Sequence, residues 1–348
     1  MKKIFIIVIL ILLMGCGPDM AGKTYLKLRF EYLFVQGVDC YDSKEYNKAI
    51  GFFVKASQTN PNNEEVYLYI SASNRELEQY KEALVALEMA IQINPIDDNI
   101  ARRGLIYARI GEDDNSIKDF QSLSKDHNLD KAQTLNYAWA LSRKKFHKKA
   151  LDVIDKAIDI DPIHQYYFFK YQYFIGINDY EEALIEINKA ILQSPLDDYI
   201  ARRGSIYSVL YESEKAINDY QAVYDRFPLN DSQLSNYFGA LSEKERYEEA
   251  LEIINFALLT DSLNVRYILE KGIICSYMKN FEDAIPIFRK TLEIVNNSNI
   301  DYSTVCYYFL STCYYRLDDY EVALIEIDLC LNKYNQNKGN YSGSFIFD

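Results

Sequence analysis

Only seven prolines and thirteen glycines occur among 348 residues, with three histidines and a single tryptophan. So few chain breakers argue against a loop-rich enzyme fold and suit a mostly helical chain of short turns. The histidines, His127, His147 and His164, lack the cysteine or carboxylate spacing of a zinc site. No phosphate-cradling glycine loop, GxSxG elbow or HExxH motif is present. We therefore expect neither catalysis, nor a metal, nor a cofactor. Basic residues are also short, with 38 Lys and Arg against 51 Asp and Glu and a net charge of −13. That balance argues against nucleic acid, because phosphate binding needs a basic surface.

The first residues do not belong to the fold. MKK is a positive start, Ile4 to Leu13 is apolar, and LMGC follows at Leu13–Cys16. The apolar run is shorter than the roughly 20 residues that span a bilayer. LMGC resembles the lipobox of bacterial lipoproteins, in which the cysteine is lipidated and becomes the new N-terminus. That resemblance implies a leader over 1–15, lipid on Cys16, a tether over 16–24, and a membrane-anchored protein of the cell envelope. Two or three acyl chains would hold it stably, since one gives only marginal binding. Loss of Lys2 and Lys3 would leave 36 basic against 51 acidic residues, a charge of −15. Of the five remaining cysteines, most fall at small buried helix positions, so we expect reduced buried thiols.

What the chain has in quantity is self-similarity. EYNKAIGFF, QYKEALVAL, DYEEALIEI, RYEEALEII, NFEDAIPIF and DYEVALIEI share one pattern, an aromatic, two residues, then an apolar pair. The anchors are Ala49, Ala83, Ser116, Ala150, Ala183, Ala216, Ala250, Ala284 and Ala323, most of them 33 or 34 residues apart. Four residues after each anchor stands a large apolar residue, from Phe53 to Ile327. Twelve before it stands a usually small one, such as Gly37, Gly104, Gly204 and Gly272, with Tyr171 and Phe238 as exceptions. Each unit thus reads as two helices that approach closely. NNSNI, at Asn296–Ile300, reads as a lengthened loop, and Pro286 should kink its helix.

From about Phe30 to Asn335 these units resemble the tetratricopeptide repeat. The resemblance implies an all-α, right-handed superhelical solenoid of about nine helix-turn-helix repeats over 25–335, with a polar tail over 336–348. It also implies an inner face lined mainly by first helices, which binds a protein or peptide partner. Solenoid physics agrees, since each unit buries its apolar face only against neighbours. The family's carboxylate clamp is not supported, because its lysine positions hold Phe34, Leu68 and Ala101.

A longer period lies over the short one. Residues 95–161 and 195–261 align without gaps, with 27 identities over 67 positions, and both contain IARRG. In repeats of the RG…AIxDY type, Arg103 with Asp119 and Arg203 with Asp219 read as ion pairs tying two helices. Arg102 and Arg202 follow Asp98 and Asp198 by four residues, so helix pairing and a groove role both remain open. The partner groove is expected around Leu135, Trp139, Phe168, Gln172 and Ile175, with Arg102 and Arg202 near its rim. YYFFKYQYF, Tyr166–Phe174, is aromatic almost all round a helix, so its rings either form that patch or fill the inter-repeat core. A glycan or other small ligand held on aromatic side chains is the alternative occupant.

Overall fold

The computed structural model describes residues 18–124, 129–295 and 302–337. Cys16, His127, the NNSNI loop and the tail from 338 onward lie outside the described residues. The chain divides into two compact units, Met1–Pro162 and Ile163–Asp348. Among the described residues all regular structure is helical, and no helix is long and apolar enough to cross a membrane.

In the first unit four helix pairs follow one another. They are α1 (Pro18–Asp42) with α2 (Tyr46–Thr59), α3 (Glu64–Glu76) with α4 (Tyr80–Ile93), α5 (Asp97–Ile110) with α6 (Asp113–Leu123), and α7 (Lys131–Arg143) with α8 (His147–Ile160). The second unit has five: α9 (His164–Gly176) with α10 (Tyr180–Gln193), α11 (Asp197–Val209) with α12 (Ser213–Val223), α13 (Asp231–Glu243) with α14 (Tyr247–Thr260), α15 (Val265–Tyr277) with α16 (Phe281–Val295), and α17 (Ser303–Arg316) with α18 (Tyr320–Asn337). Each unit is the stack of helix pairs that the repeat pattern calls for.

Local chemistry explains where helices begin and turn. Asp130 and Asn230 close capping boxes with Gln133 and Gln233, and Asn63 accepts the Val66 N–H at 3.0 Å. A cap of this kind contributes about 1 kcal/mol. The turn inside each pair places one residue in the left-handed region, always five before the anchor: Lys44, Glu78, Gly111, Lys145, Asn178, Tyr211, Glu245, Lys279 and Asp318. The next residue then donates back to the first helix, as Glu112 N–H does to the Tyr107 carbonyl at 2.9 Å. Only one of these nine is glycine, so the turn is imposed by packing rather than by a permissive residue. Helix α16 continues through Pro286 to Val295.

The core of each pair is an interlock between two positions sixteen residues apart. Phe53, Phe120, Tyr220 and Phe288 are fully buried, and each ring lies over a glycine of the preceding helix. A Cβ added to Gly37 or Gly272 would stand 2.6 or 2.7 Å from the ring facing it. At the other repeats Leu87, Ile154, Ile187, Ile254 and Ile327 replace the ring, and their counterparts are Ser71, Ala138, Tyr171, Phe238 and Ser311. Glycine therefore stands opposite every ring and opposite no aliphatic side chain. Tyr171 and Phe238, exceptions to the small-residue pattern, carry the ring on the first helix instead of the second.

Gly272→Ser should lower stability by about 1–3 kcal/mol through overpacking against Phe288. Adding Phe288→Leu recreates the Ser71 and Leu87 combination and should recover about 1 kcal/mol or more of that loss. A double-mutant cycle in urea measures it, and strictly additive losses would contradict the interlock.

Candidate partner-binding groove

The two arginines of IARRG face different surroundings. Arg103 on α5 reaches Asp119 on α6 with two donors, Nε at 2.8 Å and an η nitrogen at 2.7 Å. Arg203 on α11 meets Asp219 on α12 at 2.7 and 2.6 Å and also donates to Asn188 at 2.9 Å. Both aspartates are buried, and their carboxylates raise the arginine pKa values further. Such bidentate pairs fix the angle between two helices as well as holding them. A third brace at the same sixteen-residue spacing, Lys170 to Glu186 at 3.2 Å, joins α9 to α10. It escapes the sequence pattern because lysine and glutamate stand in place of arginine and aspartate, although the spacing is there to be read.

Arg102 and Arg202 each donate through Nε to the aspartate one turn earlier, Asp98 and Asp198, at 2.8 Å. Beyond that contact the copies diverge. Arg202 has its guanidinium 5.3 Å from the Phe168 ring centre, and Phe168 stacks on Tyr199 at 4.7 Å and on Tyr171 at 5.4 Å. Burial raises the Tyr171 pKa, with the Arg202 charge opposing the shift. One hundred residues earlier the same three positions hold Leu68, Ser71 and Asn99. Without the rings, a cavity of about 340 Å³ opens beside Arg102.

That cavity lies within the first unit and is lined by Arg75, Arg102 and Arg109, by Tyr80 and Asn136, and by an apolar floor that includes Leu68 and Leu105. Leu68, Ala72 and Arg75 occupy the register of Phe168, Gln172 and Ile175, the groove residues expected from the sequence. The second copy also has Val209 where the first has Arg109. In sequence Arg75 and Arg109 pass for surface charges, but their register against Ile175 and Arg102 could have found them.

Leu135 and Trp139 belong to the first unit and are half-buried on α7. Phe168, Gln172 and Ile175 belong to the second, half-buried on α9. Tyr166, Phe169 and Tyr171 are buried, while Tyr167, Phe168, Phe174 and Ile175 pack against the core of that unit. Much of the YYFFKYQYF run therefore serves packing.

Nothing reactive gathers elsewhere among the described residues. No group of metal-binding side chains forms, and the five described cysteines are free. Burial raises the thiol pKa of Cys275, Cys313 and Cys330, which keeps them protonated and poorly nucleophilic.

Arg203→Met strands the Asp219 carboxylate and should destabilise the protein by about 2–3 kcal/mol, less than a fully buried pair because the arginine is partly exposed. The double variant Arg203→Met with Asp219→Leu should regain part of this loss. Arg102→Gln removes an exposed pair and should cost under about 0.5 kcal/mol. Urea midpoints of the three variants check the order, and an equal loss from Arg102→Gln would contradict the division of roles.

No protein-family model matches the chain. It is 23% identical over 304 residues to DnaJ homolog subfamily C member 7 of Mus musculus, across 77% of this chain and 60% of that protein. The chain thus spans about 60% of the length of the curated relative it matches. Among solved structures it is similar to PilW, described as a widely conserved type IV pilus biogenesis factor, with a TM-score of 0.50 and 14% identity over 59% of this chain and 97% of that one. YrrB, described as a tetratricopeptide protein with an unusual peptide-binding site, has a TM-score of 0.44 and 16% identity over 51% of this chain and 91% of that one. At such identities the likeness is one of fold: an all-α, tetratricopeptide-like stack of helix pairs.

Proposed function

We propose that this protein is a non-catalytic scaffold that binds a segment of another protein along the first helices of its repeats. The observation that carries the reading is the cavity beside Arg102, a recess of mixed polar and apolar lining on the first helices, where the family resemblance implies a partner. Its lining combines arginine, tyrosine, serine and asparagine with leucine, which suits a peptide better than a flat apolar ligand. A glycan on an aromatic platform is less well supported, since Phe168 already stacks on Tyr199 and carries the Arg202 guanidinium.

The scaffold is held, in this reading, at a bacterial envelope membrane by lipid on Cys16, as LMGC suggests. Lipid anchoring would raise the effective concentration of the binding face toward other proteins of the same membrane.

Replacing Trp139 with a photo-crosslinking residue should capture a discrete protein in intact envelopes, resolved as a shifted band on a gel. Absence of any captured protein would sink the scaffold reading. Cys16→Ala should block lipidation, leaving a precursor that no longer incorporates labelled fatty acid. Unchanged incorporation of the label would rule out Cys16 as the anchor.

A further inference from the structure

We propose that the apolar face of the last repeat is covered by the chain's own tail, with Phe345, Ile346 and Phe347 seated in the recess between α17 and α18. Among the described residues no helix follows α18, and the interlock loses its cover there. The side chain four after the anchor is buried in the eight preceding repeats, from Phe53 to Phe288, whereas Ile327 is only half-buried. One residue after the anchor the contrast is larger. Ile217 is fully buried and its counterparts from Ile50 to Ile285 are buried or half-buried, but Leu324 is 65% exposed. Tyr320, Leu331 and Tyr334 are exposed too, and with Leu324 and Ile327 they form a series spaced four, three, four and three residues apart. That spacing puts all five on one face of α18. Tyr320, Leu324 and Ile327 line a cavity of about 450 Å³, whose other walls include Ser311, Thr312, Tyr315 and Arg316.

The segment after α18 has the composition and the length to fill this cavity. Residues 338–348 read KGNYSGSFIFD, polar apart from one tyrosine until the apolar triplet at Phe345–Phe347. About 20 Å of helix separate Asn337 from Leu324, at about 1.5 Å per residue. An extended run from Gly339 to Phe347 covers about 26 Å, so a return turn at Gly339 brings Phe347 to the cavity.

Charge favours the same direction. A tail running antiparallel to α18 carries Asp348 to Arg316, which makes no ion pair among the described residues. A second copy of the chain fits less well. Glu321 and Asp328 flank the apolar stripe, and a two-fold axis would set these acids against their own copies.

The test uses the full chain in detergent, with p-benzoylphenylalanine in place of Phe347. Irradiation should attach this side chain to residues 311–327 of the same chain, read by mass spectrometry of fragments from the monomer band. Mixing isotopically heavy and light chains beforehand separates attachment within a chain from attachment between two. In a second experiment, Phe345→Ser combined with Phe347→Ser should speed amide hydrogen exchange across Tyr320–Asn337 by about tenfold or more. Attachment outside residues 311–327, or only between chains, would overturn the proposal, as would unchanged exchange in a serine variant that keeps its helix content by circular dichroism. Should that variant lose helix content, the attachment site alone decides.

Discussion

The distance between the two helices of a repeat is fixed by one contact, the side chain four residues after the anchor pressed against the residue sixteen positions before it. Where that side chain is a ring, as at Phe53, Phe120, Tyr220 and Phe288, only glycine leaves room on the facing helix. Where it is leucine or isoleucine, a serine, an alanine or even a ring is tolerated opposite. No repeat places rings at both positions. A buried ring contributes several kcal/mol, and losing one typically costs about 3–5 kcal/mol. The left-handed residue in each turn costs about 1–2 kcal/mol when it is not glycine. The contact therefore outweighs the backbone strain, which explains why Tyr211 and Lys44 hold an unfavourable conformation while Tyr220 and Phe53 stay buried.

Once that spacing is set, charge can act across it. Asp119, Glu186 and Asp219 all lie three residues after their anchors, immediately before the ring or branched side chain of the interlock. Their partners Arg103, Lys170 and Arg203 lie next to the small or ring position of the first helix. A pair of this kind gains from the low dielectric between helices only because packing has already excluded water there. Packing therefore comes first in the hierarchy and the ion pairs refine the helix angle.

Periodicity made the helix pairs and their register legible, because a spacing of 33 or 34 residues with fixed small and large positions has few other physical solutions. The same sequence was a poorer guide to the groove. YYFFKYQYF was aromatic enough to suggest an exposed patch, yet Tyr166, Phe169 and Tyr171 are buried and Phe168 is covered in part by Arg202. Arg75 and Arg109 look like solvated charges in sequence and are brought to one cavity only by two successive first helices. Neighbours on adjacent repeats decided each case, and a pattern within one repeat does not contain them.

The two IARRG segments make that point with the motif held constant. Arg102 and Arg202 share their own helix, their aspartate partner and its 2.8 Å bond. What differs is the preceding repeat, Leu68 and Ser71 in one case and Phe168 and Tyr171 in the other. Two rings stand there in place of the open recess, and the guanidinium lies against an aromatic stack instead of beside a cavity. In a solenoid each repeat borrows one wall of its site from its neighbour, so duplicating a block copies the motif without copying the site at its leading edge. Divergence of a single adjoining helix is then enough to leave an open recess beside one copy and packed rings beside the other.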